Sequence, residues 1–182
     1  MLTGSLPAPE SYWSCCVMPK SLGLVLAAGL AGFASPAPAL VAGPHAEICR
    51  SGEPSVIVRV QGLKTRTGIL RVQLYANNKA TFLEKKAYLE RVDVQASDGT
   101  DICVPVPRPG SYAVSVRHDV NGNRKSDRAD GGGFSGNPDV SLGDLITKRK
   151  PDLARVAFRV AEGPVTVPVL LNYVQGLSFK PI

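Results

Sequence analysis

The chain has 182 residues and a formal net charge of +6, with 21 basic and 15 acidic residues. Its longest apolar run, residues 22–33, is shorter than the roughly 20 residues needed to cross a membrane as a helix, which argues against a membrane span. The moderate basic charge does not indicate nucleic-acid binding, because the sequence holds no recognisable aromatic or helical reader of bases.

Residues 1–42 are predicted to be an upstream extension followed by a signal peptide. Lys20 precedes the apolar run 22–33, and small residues and prolines follow around 37–39, which is the layout of a secretory signal. Cleavage after Ala39 and cleavage after Ala42 both fit the sequence. We therefore expect an exported protein, periplasmic or extracellular, with no transmembrane segment after cleavage.

Seventeen residues precede Met18, although a signal peptide normally carries its charge within a few residues of its start. Met18 is therefore a candidate for the true initiator. Cys15 and Cys16 lie before the apolar run, whereas the cysteine of a lipid anchor follows it, so the sequence does not predict a lipoprotein.

Beyond the signal, residues 43–54 are predicted to be an N-terminal tail and residues 55–182 one domain, a length sufficient for a buried core. Cys49 and Cys103 are the only cysteines after residue 42. In an oxidising compartment two cysteines favour one disulfide. Two separate buried thiols are the alternative.

The domain has the alternating apolar pattern of β-strands from Ser55 onward. Seven short strands with turn signals between them predict an all-β fold, an antiparallel β-sandwich of the immunoglobulin-like kind, with one long loop after the fifth strand. The predicted strands cover residues 56–61, 70–75, 91–95, 102–106, 112–117, 156–160 and 165–171.

Three connections carry further predictions. Residues 80–91 have apolar positions three or four apart, which fits a short helix or a lid-like crossover. Asp98-Gly99 indicates a hairpin turn between the third and fourth strands. Residues 119–151 show no clear period, and so long a loop in a compact domain is usually functional or disordered. We therefore look for function there.

The start of that loop has the spacing of a twelve-residue calcium loop. Oxygen-bearing side chains at alternate positions of a tight loop can turn toward one hard ion. The predicted ligands are the side chains of Asp119, Asn121, Asn123, Asp127 and Asp130, with the Lys125 carbonyl at the seventh position.

Two positions depart from that pattern. Arg124 stands where a glycine normally makes the sharp turn, and Asp130 replaces the longer bidentate Glu. The neighbouring Arg117, Arg124, Lys125 and Arg128 also weaken the attraction for a cation. Any affinity is expected near 10⁻⁴ to 10⁻³ M, as in extracellular modules. The alternative is a loop whose Asp and Asn side chains bond their own backbone amides.

His118 continues the inward face of the predicted fifth strand. We expect a partly buried, hydrogen-bonded histidine at the edge of the sandwich, since a zinc or iron site needs several ligands brought together. Ser135 lacks the Gly-x-Ser-x-Gly context of a nucleophile elbow. Residues 131–136 are predicted to be a flexible turn with Phe134 packed back onto the sandwich.

The basic residues have two interpretations. Arg59, Arg71, Arg117 and Arg159 are predicted on outward or mixed strand faces. They could form a cationic surface for a cell-envelope component or a polysaccharide. Ordinary solubilising charge is the alternative.

Several of these motifs occur together in one known family. Pro-Gly-Ser-Tyr-Ala-Val at 109–114, His-Asp-x-Asn-x-Asn at 118–123 with Asp127, and Gly-Phe-Ser-Gly-Asn-Pro at 133–138 follow in order after an export signal. The chain resembles the bacterial family catalogued as domain of unknown function 2141, from about residue 55 to residue 173. The resemblance implies a secreted β-sandwich, similar to transthyretin-like or carboxypeptidase-regulatory modules, with no established activity. Arg124, where that family usually has Gly, and the stretch after Pro138 depart from its pattern.

The sequence thus predicts an exported β-sandwich that serves as a binding or structural module, with no cofactor other than calcium. The competing hypothesis is an enzyme or enzyme-accessory domain with a loop-built pocket around His118, Asp119 and Ser135.

Overall fold

The computed structural model describes residues 40–97 and 100–182. Residues 1–39 of the predicted signal segment, with Cys15, Cys16 and Met18, lie outside the described residues, whereas residues 40–42 at its end are described and include β1. The described part is mostly β-structure, as predicted. The strands are β1 (Val41–Ala42), β2 (Ser55–Gln61), β3 (Ile69–Ala76), β4 (Glu90–Gln95), β5 (Asp101–Pro105), β6 (Gly110–Asp119), β7 (Gly131–Phe134), β8 (Phe158–Val160), β9 (Val165–Leu170), β10 (Asn172–Gln175) and β11 (Ser178–Lys180). The helices are α1 (Ala46–Ser51), α2 (Leu142–Thr147) and α3 (Leu153–Val156).

The strands form two sheets that face each other like a sandwich. The smaller sheet has the order β1-β5-β2-β9, and the larger has the order β11-β10-β7-β6-β3-β4, with β8 also paired to β6. Every pair of the larger sheet is antiparallel, whereas β1–β5 and β2–β9 in the smaller sheet are parallel. The all-β sandwich prediction is confirmed, with two parallel pairs that alternation could not reveal.

The main core lies between the sheets, where the inward residues of each strand meet. Val56, Val58 and Val60 of β2 face Leu70, Val72 and Leu74 of β3, and all six are nearly or fully buried. Burial of such side chains stabilises the fold by roughly 1.5–3 kcal/mol each relative to exposure. The period-two pattern therefore defined this core correctly.

A second, smaller core covers part of the outer face of the larger sheet. Tyr75, Phe82, Ala113, Leu153 and Val156 are buried there. The rings of Tyr75 and Phe82 meet edge to face, with their centroids 5.7 Å apart. The connections 77–89 and 135–157 thus form a third layer, since they lie over a sheet face that would otherwise expose apolar side chains.

Several connections differ from the predictions. The segment 80–91 consists of turns instead of a helix, and β4 begins at its end. Positive φ angles at Leu83 and Lys86, 56° and 62°, are incompatible with a continuous right-handed helix. The third and fourth predicted strands do not form a hairpin, because β4 belongs to the larger sheet and β5 to the smaller one. Asp98 and Gly99, which carried that hairpin prediction, lie outside the described residues.

The N-terminal segment also differs from the predicted tail. Within 43–54 the structure has α1, and β1 before it pairs with β5. A disulfide joins Cys49 of α1 to Cys103 of β5, with a Cα–Cα distance of 6.0 Å. The predicted pairing of these cysteines is therefore present in the structure.

The predicted long loop is interrupted by regular structure. Residues 119–151 contain β7 and α2, and α3 follows. The predicted flexible turn at 131–136 is largely β7, which lies between β6 and β10 inside the sheet. Val156, expected to open a strand, lies in α3, and the strand that follows it begins at Phe158.

Candidate functional site

The loop between β6 and β7 begins at a buried carboxylate. Asp119 is the last residue of β6 and only 1% exposed. Asp119 and Arg117 lie on the outer face of β6, because residues two apart on a strand share a face, whereas His118 points into the core. The strand therefore delivers His118 and Asp119 to opposite sides of the sheet.

A tight turn after Asp119 fixes one of its carboxylate oxygens. The backbone amide of Arg124 donates to Oδ2 of Asp119 at 2.7 Å. Arg124 has a φ of 63°, so it adopts the left-handed conformation for which glycine is usually chosen. The departure from glycine at position 124 therefore leaves the turn in place.

The next two alternating side chains also bond the backbone. Oδ1 of Asn121 accepts from the Asn123 amide at 3.0 Å, and Oδ1 of Asn123 accepts from the Lys125 amide at 2.7 Å. Their Nδ2 groups both donate to Oδ2 of Asp127, at 2.8 and 3.3 Å. Asn121 and Asn123 thus contact Asp127 through their amide nitrogens, while their oxygens make the hydrogen bonds to backbone amides that the alternative predicted.

The carboxylate of Asp127 is exposed and well supplied with donors. Its Oδ1 accepts from the Ala129 amide at 2.9 Å. That amide, followed by the side chain of Asn121, lowers the pKa of Asp127. This side chain is therefore ionised at neutral pH and supplies negative charge to the loop.

Asp130 closes the loop. Its Oδ1 accepts from the Val120 amide and its Oδ2 from the Asp127 amide, each at 3.2 Å. Burial raises the pKa of Asp130 above its usual value, although these two amides lower it in part. Because both oxygens accept hydrogen bonds from the backbone of the loop, Asp130 holds the two ends of the loop together.

One oxygen at this site has no partner. Oδ1 of Asp119 is buried and accepts no hydrogen bond within the described residues. Nε of Arg117 is also buried, and it donates no hydrogen bond to any described residue. The nearest cation is the Arg117 guanidinium, whose Nη2 lies 3.4 Å from Oδ2 of Asp119. A buried acceptor without a partner costs about 1–3 kcal/mol, more when it is charged.

The loop has oxygen atoms that could bind a cation, and it also has basic side chains that would repel one. Arg124, Lys125 and Arg128 are exposed around it, and Nη1 of Arg117 donates to Oγ of Ser126 at 3.0 Å. Across the described ranges 40–97 and 100–182, no three His, Cys, Asp or Glu side chains are grouped as a metal centre requires. An ion here would therefore depend on the amide oxygens of Asn121 and Asn123 as well as on carboxylates.

His118 is fully buried, and both of its ring nitrogens are bonded. Nε2 lies 2.8 Å from the Thr67 carbonyl oxygen, and Nδ1 lies 2.7 Å from the Tyr173 hydroxyl. A carbonyl can only accept, so in the neutral ring Nε2 carries the hydrogen and Nδ1 accepts from Tyr173. The Tyr173 hydroxyl in turn accepts from the Lys64 amide at 3.1 Å. His118 therefore joins three segments of the fold.

Tyr173 does not emerge from the sequence pattern as a site residue, because the last predicted strand stops at Leu171. A signal was nevertheless present, since Val167, Val169, Leu171 and Tyr173 alternate without a break, and all four are buried. Burial is the largest cause that raises the pKa of Tyr173, and the charge of Asp130 adds to it, against a lowering by the Lys64 amide.

Ser135 is also buried and fully engaged. Its Oγ accepts from the Val114 amide at 2.9 Å and donates to the Val156 carbonyl oxygen. It thereby links β6 to the end of α3. Phe134 packs against the second core, as predicted, but from a strand and not from a flexible turn.

The arginines of the sheet surfaces are mostly paired with carboxylates. Arg59 binds Asp101 on the neighbouring strand through both carboxylate oxygens, with hydrogen bonds of 3.0 Å to Oδ1 and 2.8 Å to Oδ2. Arg71 does the same with Asp93, at 2.9 and 3.0 Å. Arg159 is exposed, and no partner of its side chain is found in the part of the chain that the structure describes. The strand arginines therefore do not make one continuous cationic surface.

The loop, β7 and the glycine-rich segment all lie inside a region that matches a family model. The model describes an uncharacterized protein conserved in bacteria (DUF2141) and matches residues 58–168, about three fifths of the chain. The chain belongs to this family. The DUF2141 region begins inside β2 and ends inside β9, so it includes Asp119–Asp130 but excludes Cys49 and Tyr173.

No curated protein and no solved structure matches the chain. Membership in DUF2141 therefore supports a domain of unknown function. Within residues 40–97 and 100–182, no helix has both the length and the apolar character needed to cross a membrane.

Proposed function

We propose that this DUF2141 protein is an exported, non-catalytic binding or structural module whose Asp119 loop binds calcium. The observation that carries the proposal is the buried Oδ1 of Asp119, which has no partner among the described residues. The other oxygen of the same carboxylate is bonded to the Arg124 amide, so the side chain is held in place with one oxygen free.

The neighbouring donors suit a hard cation. Amide oxygens carry two lone pairs, so Oδ1 of Asn121 and of Asn123 can each bind an ion while accepting a backbone amide. The Asp127 carboxylate lies within hydrogen-bond distance of both amide groups. Calcium takes six to eight oxygen ligands of these kinds in flexible geometry. Asp119, Asn121, Asn123 and Asp127 would supply the side-chain ligands, and Asp130 would keep the loop closed.

The charge around the loop sets the expected strength. Two ligand carboxylates are opposed by the guanidinium of Arg117 and by the exposed Arg124, Lys125 and Arg128, so the affinity belongs in the millimolar to submillimolar range of extracellular modules. Such an ion would order the connection between β6 and β7 and would not act as a signal sensor. The competing account is a loop that stays closed through its own backbone hydrogen bonds.

Export is the part of the proposal that the disulfide supports. Structural disulfides persist in oxidising compartments and are rare in the cytosol. The predicted signal segment and the Cys49–Cys103 bond therefore favour a periplasmic or extracellular protein. Of the two cleavage positions, cutting after Ala39 would retain β1, whose Ala42 is buried.

The non-catalytic part rests on the state of the candidate catalytic groups. His118 has both ring nitrogens bonded inside the core, Ser135 is buried with its hydroxyl bonded twice, and Asp119 faces away from His118. An enzyme at this site would need these groups to converge on one accessible pocket. The strand arginines form no continuous cationic surface, so the proposed partner class rests on export alone: an exported protein meets cell-envelope components and polysaccharides, and we propose one of these, and not a nucleic acid, as the partner.

The test is thermal unfolding of the protein, purified from the full chain, in 5 mM Ca²⁺ and in chelator. A ligand at about ten times its dissociation constant adds roughly 1.4 kcal/mol, which raises the Tm by several degrees. Asp119→Asn and Asp127→Asn should each abolish the shift, and the second lies on the surface, where folding is least at risk. Asp139→Asn, an exposed carboxylate outside the loop, is the matched control.

The variant Arg124→Gly tests the same site by an expected increase in the calcium-dependent shift of the Tm. It removes a cation from the loop and suits the left-handed conformation at that position, so the calcium-dependent shift should grow. No shift in either the unmodified protein or Arg124→Gly would contradict the calcium site and leave a loop held by its own backbone bonds.

A further inference from the structure

The third layer over the larger sheet contains an open cleft that lies apart from the Asp119 loop. It has a volume of about 460 Å³, within the roughly 300–1,000 Å³ of ligand pockets. Its apolar lining comes from Leu83, Phe134, Val140, Leu145 and Pro151. None of its lining residues belongs to the Asp119 loop, so a ligand in the cleft would be independent of calcium binding.

The floor of the cleft is apolar and belongs to the second core. Phe134 and Leu83 pack against the buried residues of that core, and Val140 is 7% exposed. Leu145 of α2 also lines the cleft and is 40% exposed. Such apolar side chains remain in contact with water unless a ligand covers them.

The rim of the cleft is charged, and its charges do not cancel. Glu84 and Asp144 carry the negative charges, and Lys148, Arg149 and Lys150 carry the positive ones. Arg149 is paired with Asp144, and Lys150 is paired with Glu84. For Lys148, no partner of the ammonium group is found among the described residues, so the rim presents one unpaired cation.

Two unusual backbone conformations occur at this cleft. Leu83 and Lys148 have φ angles of 56° and 55°, in the left-handed region that side chains other than Gly, Asn and Asp rarely adopt. At Lys148 the left-handed conformation is the C-cap that ends α2, since its backbone amide donates to the carbonyl oxygens of Asp144 and Leu145. Leu83 adopts it in a turn, and non-glycine residues in that region are concentrated at binding and catalytic sites.

We propose that this cleft binds an amphiphile with a single alkyl chain and an anionic head, such as a fatty acid. The chain lies along Leu83, Phe134 and Leu145, and the head group pairs with the ammonium group of Lys148. We infer the alkyl chain from the apolar floor, which favours an apolar group over water. We infer one negative charge on the ligand from the single unpaired cation on the rim. An exported protein with this cleft would carry or sense single-chain lipids of the envelope.

The test is calorimetric titration of the full-chain protein with dodecanoate below its micelle-forming concentration. Dodecyl maltoside, which has the same chain and no charge, is the matched probe. Dodecanoate should bind more tightly by about two- to fivefold, the range expected of one exposed ion pair. Equal binding of the two probes, or no binding of either, would overturn the proposal.

Two variants locate the ligand on the protein. Lys148→Gln should remove the preference for dodecanoate over dodecyl maltoside, whereas Lys180→Gln, at an exposed lysine on β11, should leave it unchanged.

Leu145→Asn should weaken the binding of both probes by about tenfold, since alkyl contact is lost. Leu177→Asn, 93% exposed at the β10–β11 turn, is its control. Equal effects within either pair would place the ligand elsewhere and overturn the assignment.

Discussion

The Nδ1 atom of His118 lies 2.7 Å from the hydroxyl of Tyr173, and this hydrogen bond joins β6 to β10 inside the core. The two residues are 55 positions apart and both almost completely buried. With the Lys64 amide and the Thr67 carbonyl, they hold the 62–68 connection against the sheet. The histidine beside the Asp119 loop is therefore a structural residue in this arrangement.

Removing the Tyr173 hydroxyl should destabilise the protein by about 1–3 kcal/mol. Tyr173→Phe leaves the Lys64 amide and Nδ1 of His118 without their partner, and buried groups left unpaired cost this much. Tyr112→Phe is the matched control, because its hydroxyl makes one bond, to the Arg108 carbonyl oxygen at 2.6 Å. Urea unfolding should show the larger loss for position 173. Equal losses would mean that the His118 network adds nothing beyond one ordinary hydrogen bond.

Replacing Gly131 by alanine should destabilise the protein by about 1–3 kcal/mol, the usual cost of overpacking a core. A Cβ at position 131 would overlap the ring of Tyr173, which is itself held by His118. At Gly132, one residue along the same strand, a Cβ would lie 3.7 Å from Cζ of Phe179, an ordinary contact. Gly132→Ala should therefore change the free energy of unfolding very little. Chemical denaturation of the two variants measures the difference, and similar values would contradict the packing of Tyr173.

Stability in acid should depend on Asp93. Burial alone would raise the pKa of Asp93, but hydrogen bonds from Arg91 and Arg71 outweigh it and hold the pKa well below its usual value. A carboxylate with a depressed folded-state pKa stabilises the protein above the unfolded pKa, near 3.9, and this contribution is lost as the pH falls toward the folded value. Because the group is partly exposed, we expect a loss of about 1 kcal/mol or less.

The measurement is the free energy of unfolding between pH 5 and pH 2 for the unmodified protein and Asp93→Asn. The variant should be less stable at pH 5 and should lose less stability as the pH falls. Asp139→Asn, on an exposed carboxylate away from the sheet, should keep the slope of the unmodified protein. An unchanged slope in Asp93→Asn would show that the paired arginines do not stabilise this carboxylate.

The Cys49–Cys103 bond should contribute about 2–4 kcal/mol, since it closes a loop of 54 residues in the unfolded chain. Reductant should lower the Tm of the unmodified protein. The double variant Cys49→Ser with Cys103→Ser should begin at that lower Tm and show no response to reductant. A Tm that reductant leaves unchanged in the unmodified protein would contradict the bond.

Much of the fold could be predicted from the sequence because each strand repeats its own burial pattern every two residues. Val56, Val58 and Val60 indicated β2 and its buried face without reference to any other strand. The missed strand β7 shows the limit of that signal. Gly131 and Gly133 have no apolar side chains, and they are glycines because Tyr173 and β9 occupy the space in front of them. A partner distant in the chain leaves no local pattern.

The turn segment 80–91 shows a second limit of local patterns, because here a pattern is present without the structure that it predicts. Its apolar residues recur every three or four positions, as in a helix, yet Phe82 is buried in the second core without one. Phe82 packs there with Tyr75, Leu153 and Val156, and the spacing of residues within 80–91 contains no information about these contacts. Local periodicity therefore did not distinguish the predicted helix from the non-helical crossover that the structure has.

The sandwich class, the inward faces of the strands, and the set of Asp and Asn side chains at the β6–β7 loop could all be read from the amino-acid sequence. These features follow from the spacing of residues along the chain, which does not depend on tertiary contacts. The tertiary structure alone decided that His118 and Asp119 face opposite ways with different partners, that Asp130 closes the loop, and that one oxygen of Asp119 is left without a bond among the described residues. Burial and hydrogen-bond partners depend on residues far away in the sequence, so only the assembled sheets could fix them.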